Sequence, residues 1–182
     1  EAIYFFLKKK IKKNFIFLNN IDEEKLQYIK KQNQLKKVLF IVISKSGNTI
    51  ETLSNILALQ ISNKKDNIIV ISEKKENALY LFAKKMKLFH IEHKNYIGGR
   101  YSVLSDVGMV PAYLMGINIL KLRQDISFHL KAKNSKFLEE SAIKLSSIFQ
   151  TNKLKNLIFF NYIPQLDKFL YWNQQLISES LG

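Results

Sequence analysis

An α/β fold, in which a parallel sheet is flanked by helices, is the fold class that this 182-residue sequence predicts. Short, continuous apolar runs, typical of strands buried on both faces, alternate with amphipathic helical patterns along the first two thirds of the chain. Strands that alternate with helices pair in parallel through right-handed crossovers. The composition agrees with a folded protein, since 47% of the residues are apolar and 24% are charged.

The elements of the sheet follow an N-terminal helical pattern formed by Ile3, Phe6, Leu7 and Ile11. The apolar runs that predict strands are Asn14–Leu18, Val38–Ser44, Asn67–Ser72 and Leu88–Ile91. The segments between them predict a polar helix from Asn20 and Asp22 to about Asn33, an amphipathic helix with Ile50, Leu53, Leu57 and Ile61 on one stripe, and a helix over Asn77–Met86.

The last third of the chain changes character. An apolar helix is predicted over Asp106–Leu120 and an amphipathic one over Ser135–Gln150, followed by a buried strand at Asn156–Tyr162 and a helix from Gln165 onward. A new strand after two helices predicts the opening of a second α/β unit. We therefore expect one domain over residues 1–124 and the beginning of another over residues 125–182.

Composition excludes several classes of protein. Cysteine is absent and residues 1–18 lack a signal-peptide cleavage site, so we expect a cytoplasmic protein. The apolar run Val107–Leu120 is too short for a membrane span and contains Pro111. The net charge of +14 comes mainly from lysines spread over the whole chain, with Arg100 and Arg123 the only arginines. Proteins that bind nucleic acid cluster their charge and favour arginine, so we expect no nucleic-acid partner.

The most informative segment is Ser44–Thr52, with the sequence SKSGNTIET, which joins a predicted buried strand to a helix. Such folds bind ligands at the carboxyl edge of the sheet, where a helix start offers backbone N–H groups to an anion. Gly47 permits close backbone approach, and the loop adds the hydroxyls of Ser44, Ser46, Thr49 and Thr52. The pattern favours a phosphate site. The alternative is a helix cap, because Asn48 and Glu51 have capping-box spacing.

Three motifs carry a resemblance to a known family. A strand followed by SKSGNTIET resembles the sugar-isomerase (SIS) domain, a flavodoxin-like α/β fold that binds phosphosugars. Gly98–Ser105, with the sequence GGRYSVLS, and Trp172–Gly182, with the sequence WNQQLISESLG, are similar to the signatures of the phosphoglucose isomerase family. The motifs occur in the family's order and cover nearly the whole chain. The resemblance implies a SIS-type fold with the start of a second SIS domain.

The resemblance also implies a role for each matching position. Ser44, Lys45, Ser46, Thr49 and Thr52 would line the sugar-phosphate site. Gly99 and Arg100 would lie beside the reacting carbons, with Arg100 stabilising the ene-diolate, while Gln175 would contact the substrate and Glu179 would move a proton between C1 and C2. The resemblance thus implies the reversible conversion of glucose 6-phosphate to fructose 6-phosphate. A carboxylate and a guanidinium suffice for such an aldose–ketose isomerisation, so we expect no cofactor and no metal.

The family pattern extends beyond this chain on both sides. The chain begins at Glu1 and stops at Gly182 inside helical patterns, so we expect a fragment that is inactive alone and a homodimeric full-length protein. The family's ring-opening histidine and C-terminal lysine would follow Gly182, so His90, His93 and His129 are interpreted as ordinary strand-end and surface residues. Two alternative functions stay open: a non-catalytic SIS module that senses a phosphosugar, and a bifunctional phosphoglucose/phosphomannose isomerase.

Overall fold

A computed structural model describes residues 1–32, 35–61, 65–151 and 156–181. Its sheet consists of β1 (Phe40–Ile43), β2 (Ile68–Ser72) and β3 (Phe89–Glu92), all parallel and in the spatial order β1-β2-β3. Val42 of β1 lies opposite Val70 of β2, which in turn lies opposite His90 of β3. The parallel α/β fold expected from the sequence is therefore confirmed.

The described helices alternate with the strands in the first half of the chain and follow one another in the second half. They are α1 (Ala2–Phe6), α2 (Glu23–Gln32), α3 (Ile50–Ala58), α4 (Ala78–Met86), α5 (Asp106–Leu114), α6 (Ile119–Arg123), α7 (Ile126–His129), α8 (Ala132–Gln150) and α9 (Asp167–Leu181). Among the described residues, no helix combines the length and the apolar character needed to cross a bilayer.

The chain divides into two compact units, one of residues 13–111 and the other of residues 1–12 together with 112–182. The first unit contains the sheet and a core in which Val70, Leu79 and Ile61 are almost completely buried. Because β2 is the central strand, four of its five residues are buried, which explains its uninterrupted apolar sequence. In the second unit, α1 packs against α9.

Two predicted strands are absent from the described sheet. Asn14–Leu18 and Asn156–Tyr162 form no ladder with another described segment. The second run is also largely exposed, since Ile158 and Phe160 are 70% and 78% accessible to solvent. These two predictions were wrong because an apolar run reports a preference for burial, whereas a strand exists only where another segment supplies hydrogen-bonding partners.

Two details of the predicted helices also differ. The helix expected over Asp106–Leu120 ends at Leu114, because Gly116 adopts a left-handed φ of 83° and Asn118 caps a new helix. On α3, Ile50 and Leu57 are 72% and 76% exposed, so the stripe buries less than its periodicity predicts. The end of the polar helix near Asn33 lies outside the described residues.

Candidate active site

The loop between β1 and α3, residues 44–49, is closed by its own side chains. The Oγ of Ser44 lies 2.7 Å from the Oγ1 of Thr49 and accepts a hydrogen bond of 3.1 Å from the backbone N–H of Gly47. Gly47 has a φ of 70°, a left-handed conformation that glycine adopts without strain. Ser44 is buried, whereas Ser46 and Thr49 are exposed, and Thr52 lies half-buried in the first turns of α3. The loop thus presents hydroxyls and the start of α3 at one edge of the sheet.

The capping interpretation of this loop is wrong. Thr49 occupies the N-cap position of α3 and makes no side-chain cap hydrogen bond. The Oδ1 of Asn48 instead accepts a hydrogen bond of 2.9 Å from the backbone N–H of Ala78, at the start of α4. Asn48 therefore bonds the neighbouring helix, and the N-terminus of α3 keeps the arrangement that suits an anion.

The start of α4 holds this loop from outside, through a residue that sequence reasoning missed. The backbone N–H of Leu79 donates to the carbonyl of Gly47 at 2.9 Å. Asn77 is 3% exposed, caps α4 by accepting from the N–H of Tyr80 at 2.8 Å, and donates to the carbonyl of Glu73 at 3.0 Å. Its amide lies so close to Gly47 that a Cβ there would be 1.8 Å from the Asn77 Oδ1. The shape of the loop thus depends on Asn77.

Residues that follow the three strands meet at the same edge. The N–H of Ser44 donates to the carbonyl of Ile71, that of Glu73 donates to Lys45, and that of His93 donates to Ser72, at 2.8–3.1 Å. Glu73 is 8% exposed, and its carboxylate pairs with Lys75 and lies 3.8 Å from the Nζ of Lys45. The hydrogen bond from Lys75 is the main cause that lowers the pKa of Glu73 from its ordinary value. Sequence reasoning missed Glu73, although it immediately follows a predicted strand.

Gly99 and Arg100 begin a 3₁₀ turn over Gly99–Leu104, in the same unit as the loop between β1 and α3. The Oγ of Ser102 donates to the carbonyl of Gly99 at 2.6 Å, which fixes the turn. Lys45 connects the two segments, because its Nζ donates to the carbonyl of Asn95 at 3.4 Å and its Cδ lies 4.0 Å from the position of a Cβ on Gly99. The structure therefore brings the loop after β1 and the glycine turn together through Lys45.

Gln175 and Glu179 lie on α9, in the unit formed by residues 1–12 and 112–182. They are one helical turn apart, and the Nε2 of Gln175 donates to the Oε1 of Glu179 at 2.8 Å. Both residues are exposed. The Glu179 carboxylate is thus oriented by its neighbour on α9.

The three histidines occupy different environments. His90 lies within β3, 3.0 Å from the Oγ of Ser72, and burial lowers the pKa of its imidazole from the usual 6.5. His93 directly follows β3, is 3% exposed, and its Nδ1 lies 3.0 Å from the carbonyl of Lys94. His129 is exposed at the end of α7.

Comparison with known proteins agrees with the family resemblance of the three sequence motifs. The family model described as phosphoglucose isomerase matches residues 3–182. A probable glucose-6-phosphate isomerase of Methanococcus maripaludis is 34% identical over 91% of this chain and 40% of its own length. The glucose-6-phosphate isomerase of Methanocaldococcus jannaschii is 28% identical over 100% of this chain and 47% of its own length.

A solved structure gives the same fold. The crystal structure of a hypothetical protein from Thermus thermophilus has a TM-score of 0.82 with 24% identity, and the match covers 100% of this chain and 45% of that protein's chain. The chain therefore spans less than half the length of these relatives. On its sequence motifs and its match over residues 3–182, the chain belongs to the phosphoglucose isomerase family.

Proposed function

We propose that the protein to which this chain belongs interconverts glucose 6-phosphate and fructose 6-phosphate through an ene-diol intermediate. The observation that carries the proposal is the loop after β1, which presents hydroxyls and a helix start and whose Lys45 reaches the turn that begins at Gly99. The names of the relatives from Methanococcus maripaludis and Methanocaldococcus jannaschii support the same reaction.

The phosphate would bind at the start of α3. Backbone N–H groups at a helix N-terminus and exposed hydroxyls suit a dianion, and the half-buried Lys45 adds a positive charge. Ser46 and Thr49 offer their hydroxyls to the phosphate oxygens, with Thr52 lying further along α3. The buried Ser44 contributes indirectly, because its bonds to Thr49 and Gly47 fix the shape of the loop.

While a hydroxyl proton passes between O2 and O1, the isomerisation moves one proton between C2 of the aldose and C1 of the ketose. Glu179 would take this proton and return it to the neighbouring carbon, while Gln175 donates a hydrogen bond to the Glu179 carboxylate and contacts the sugar. Arg100 would stabilise the negative charge that develops on the sugar oxygens, and Gly99 allows the backbone close to the reacting carbons. These groups perform the step without a metal or an organic cofactor.

We infer the remaining properties of the whole protein from the family. It is a cytoplasmic homodimer without a nucleic-acid or membrane partner. Residues 1–124 belong to a first SIS-type domain, and residues 125–182 begin a second one. The chain of residues 1–182 alone is expected to be inactive.

Substitution of Glu179 tests the proposal in the full-length protein. Glu179→Gln keeps the shape of the side chain and removes the base, so kcat should fall by at least about a hundredfold while KM stays within about twofold. Glu23→Gln is the matched control, because Glu23 accepts a similar exposed hydrogen bond, of 3.1 Å, from Gln27 one turn along α2. Equal activity of the two variants would contradict the role of Glu179.

The wild-type protein separates the alternative functions. A coupled assay with fructose 6-phosphate and glucose 6-phosphate detects turnover, and calorimetry with the same sugars detects binding. A phosphosugar sensor binds without turnover, which would contradict the proposed isomerase. A bifunctional enzyme also converts mannose 6-phosphate, whereas we expect no conversion of that sugar.

A further inference from the structure

Glu73 is a shielded carboxylate next to the phosphate loop, and none of the three family motifs includes it. It directly follows β2, and its backbone N–H donates to the carbonyl of Lys45 at 3.1 Å. Only 8% of the residue is exposed. The carboxylate faces two lysines, with Lys75 in close contact and the Nζ of Lys45 at 3.8 Å. A carboxylate in this setting stays ionised, and its pKa is lowered first by the hydrogen bond from Lys75.

The two lysines contact the Glu73 carboxylate differently. Lys75 contacts the Oε2 of Glu73 closely. Lys45 lies farther from the Oε1 and also donates to the carbonyl of Asn95. The ammonium group of Lys45 therefore lies between Glu73 and the segment that leads to Gly99.

Glu92 provides a natural comparison on the neighbouring strand. It is the last residue of β3 and pairs at 2.8 Å with Lys94, two residues further along, just as Glu73 pairs with Lys75. Its side chain is 44% exposed, against 10% for Glu73. The additional feature of Glu73 is its approach to Lys45 of the phosphate loop.

We propose that Glu73 is a positioning residue that holds the Lys45 ammonium in the direction required for sugar-phosphate binding. The inference rests on the proposed function and deepens it by assigning the orientation of one substrate-binding side chain. The Glu73 carboxylate pairs with Lys45 and Lys75, so we expect it to affect binding more than the chemical step.

The test compares Glu73→Gln with Glu92→Gln in the full-length protein. With Glu73→Gln, KM for glucose 6-phosphate should rise about fivefold while kcat changes by less than about twofold, because an unanchored lysine binds less well. The inhibition constant of inorganic phosphate should rise by a similar factor. Glu92→Gln should leave both quantities unchanged. Equal effects of the two variants would overturn the assignment.

Two further variants distinguish an effect of Glu73 on the orientation of Lys45 from an effect of the carboxylate charge itself. Glu73→Asp keeps the charge and shortens the side chain, so it should raise KM as Glu73→Gln does. If the glutamine variant does not fold, Glu73→Asp is compared with Glu92→Gln in its place. A lower KM in Glu73→Gln would show that the carboxylate only repels the dianion, which would overturn the proposal. In a Lys45→Met background, Glu73→Gln should have no further effect, and multiplying effects would likewise overturn it.

The outcomes keep the inference separate from the proposed function. If the wild-type protein binds phosphate but turns over neither sugar phosphate, the isomerase function fails, and weaker phosphate binding in Glu73→Gln still supports the positioning role. If the wild-type protein is active and Glu73→Gln equals Glu92→Gln in KM, the function stands and the positioning role fails. A wild-type protein that neither binds phosphate nor turns over sugar overturns both.

Discussion

Replacing Gly47 by alanine should distort the phosphate loop, residues 44–49, because it adds a methyl group where another side chain already lies. The new Cβ would lie 1.8 Å from the Oδ1 and 2.2 Å from the Cγ of Asn77. Asn77 cannot simply swing away, because it is 3% exposed and its amide both caps α4 at the N–H of Tyr80 and donates to the carbonyl of Glu73. Alanine must also adopt the left-handed φ of 70° found at this position.

The expected loss of unfolding free energy follows from these contacts. A left-handed alanine costs about 1 kcal/mol relative to glycine. Displacing Asn77 removes a helix cap, which is typically worth about 1 kcal/mol, and the hydrogen bond to Glu73, which is worth about 1 kcal/mol. We therefore expect Gly47→Ala to lower the free energy of unfolding by about 3 kcal/mol.

Gly116→Ala is the matched control. Gly116 has a φ of 83°, but no heavy atom lies within 4 Å of the position of its Cβ, so only the backbone term of about 1 kcal/mol applies. Urea unfolding measures the free energy of unfolding of both variants, which should differ by about 2 kcal/mol. Binding of inorganic phosphate should weaken in Gly47→Ala alone. A difference below about 0.5 kcal/mol would refute the role of Asn77 in shaping the loop.

Other perturbations probe the glycine turn, a half-buried histidine, the net charge and the exposed edge of the sheet. Gly99→Ala should leave the melting temperature unchanged, because the Lys45 Cδ, at 4.0 Å, is the nearest heavy atom to a Cβ there, but it should raise KM for glucose 6-phosphate severalfold. Burial lowers the pKa of His90, so the unfolded state takes up a proton first as the pH falls below 6.5; the resulting loss of stability in urea should be smaller in His90→Gln. DNA binding measured by fluorescence anisotropy should be weak and should vanish at about 150 mM salt, whereas binding that survives would show a nucleic-acid partner. Residues 1–182 expressed alone should aggregate in light scattering, because β1 pairs with β2 only among the described strands and Phe40–Ile43 is a template for edge pairing.

The sheet could be predicted from the sequence because its signal is local. The apolar runs at Val38–Ser44 and Asn67–Ser72 each contain a strand, although both strands are shorter than the runs. The C-terminal residue of the helix after β2, Met86, was predicted correctly. Lys87 follows it in a left-handed conformation, which ends the helix. Such patterns need no knowledge of distant partners.

The two predicted strands that do not form show the limit of reasoning from local sequence. The run at Asn156–Tyr162 is as apolar and as rich in aromatic residues as a buried strand, but no described segment pairs with it. The break in the predicted helix over Asp106–Leu120 is different, because its signals were present. A glycine at Gly116 followed by Asn118 is a common combination of helix stop and helix start.

In the candidate site, too, contiguous residues could be predicted from the sequence, whereas residues brought together by the fold could not. The loop over Ser44–Thr52 could be recognised because its residues are contiguous, and its position at the end of β1 was predicted correctly. Asn77 and Glu73 could not be recognised from that motif, because they lie beyond the next strand. The observation that could have found them is topological: residues that follow neighbouring parallel strands meet at one edge of the sheet.

The contacts made by this edge explain why a short motif is insufficient to define the site. The carbonyl of Gly47 and the side chain of Asn48 are both bonded by the start of α4, and Lys45 is held by Glu73 and by the carbonyl of Asn95. The motif therefore supplies the hydroxyls and the lysine of the candidate site, whereas the segments after β2 and β3 fix their positions. A homologous motif placed on a sheet without those segments should retain the hydroxyls but bind phosphate less well.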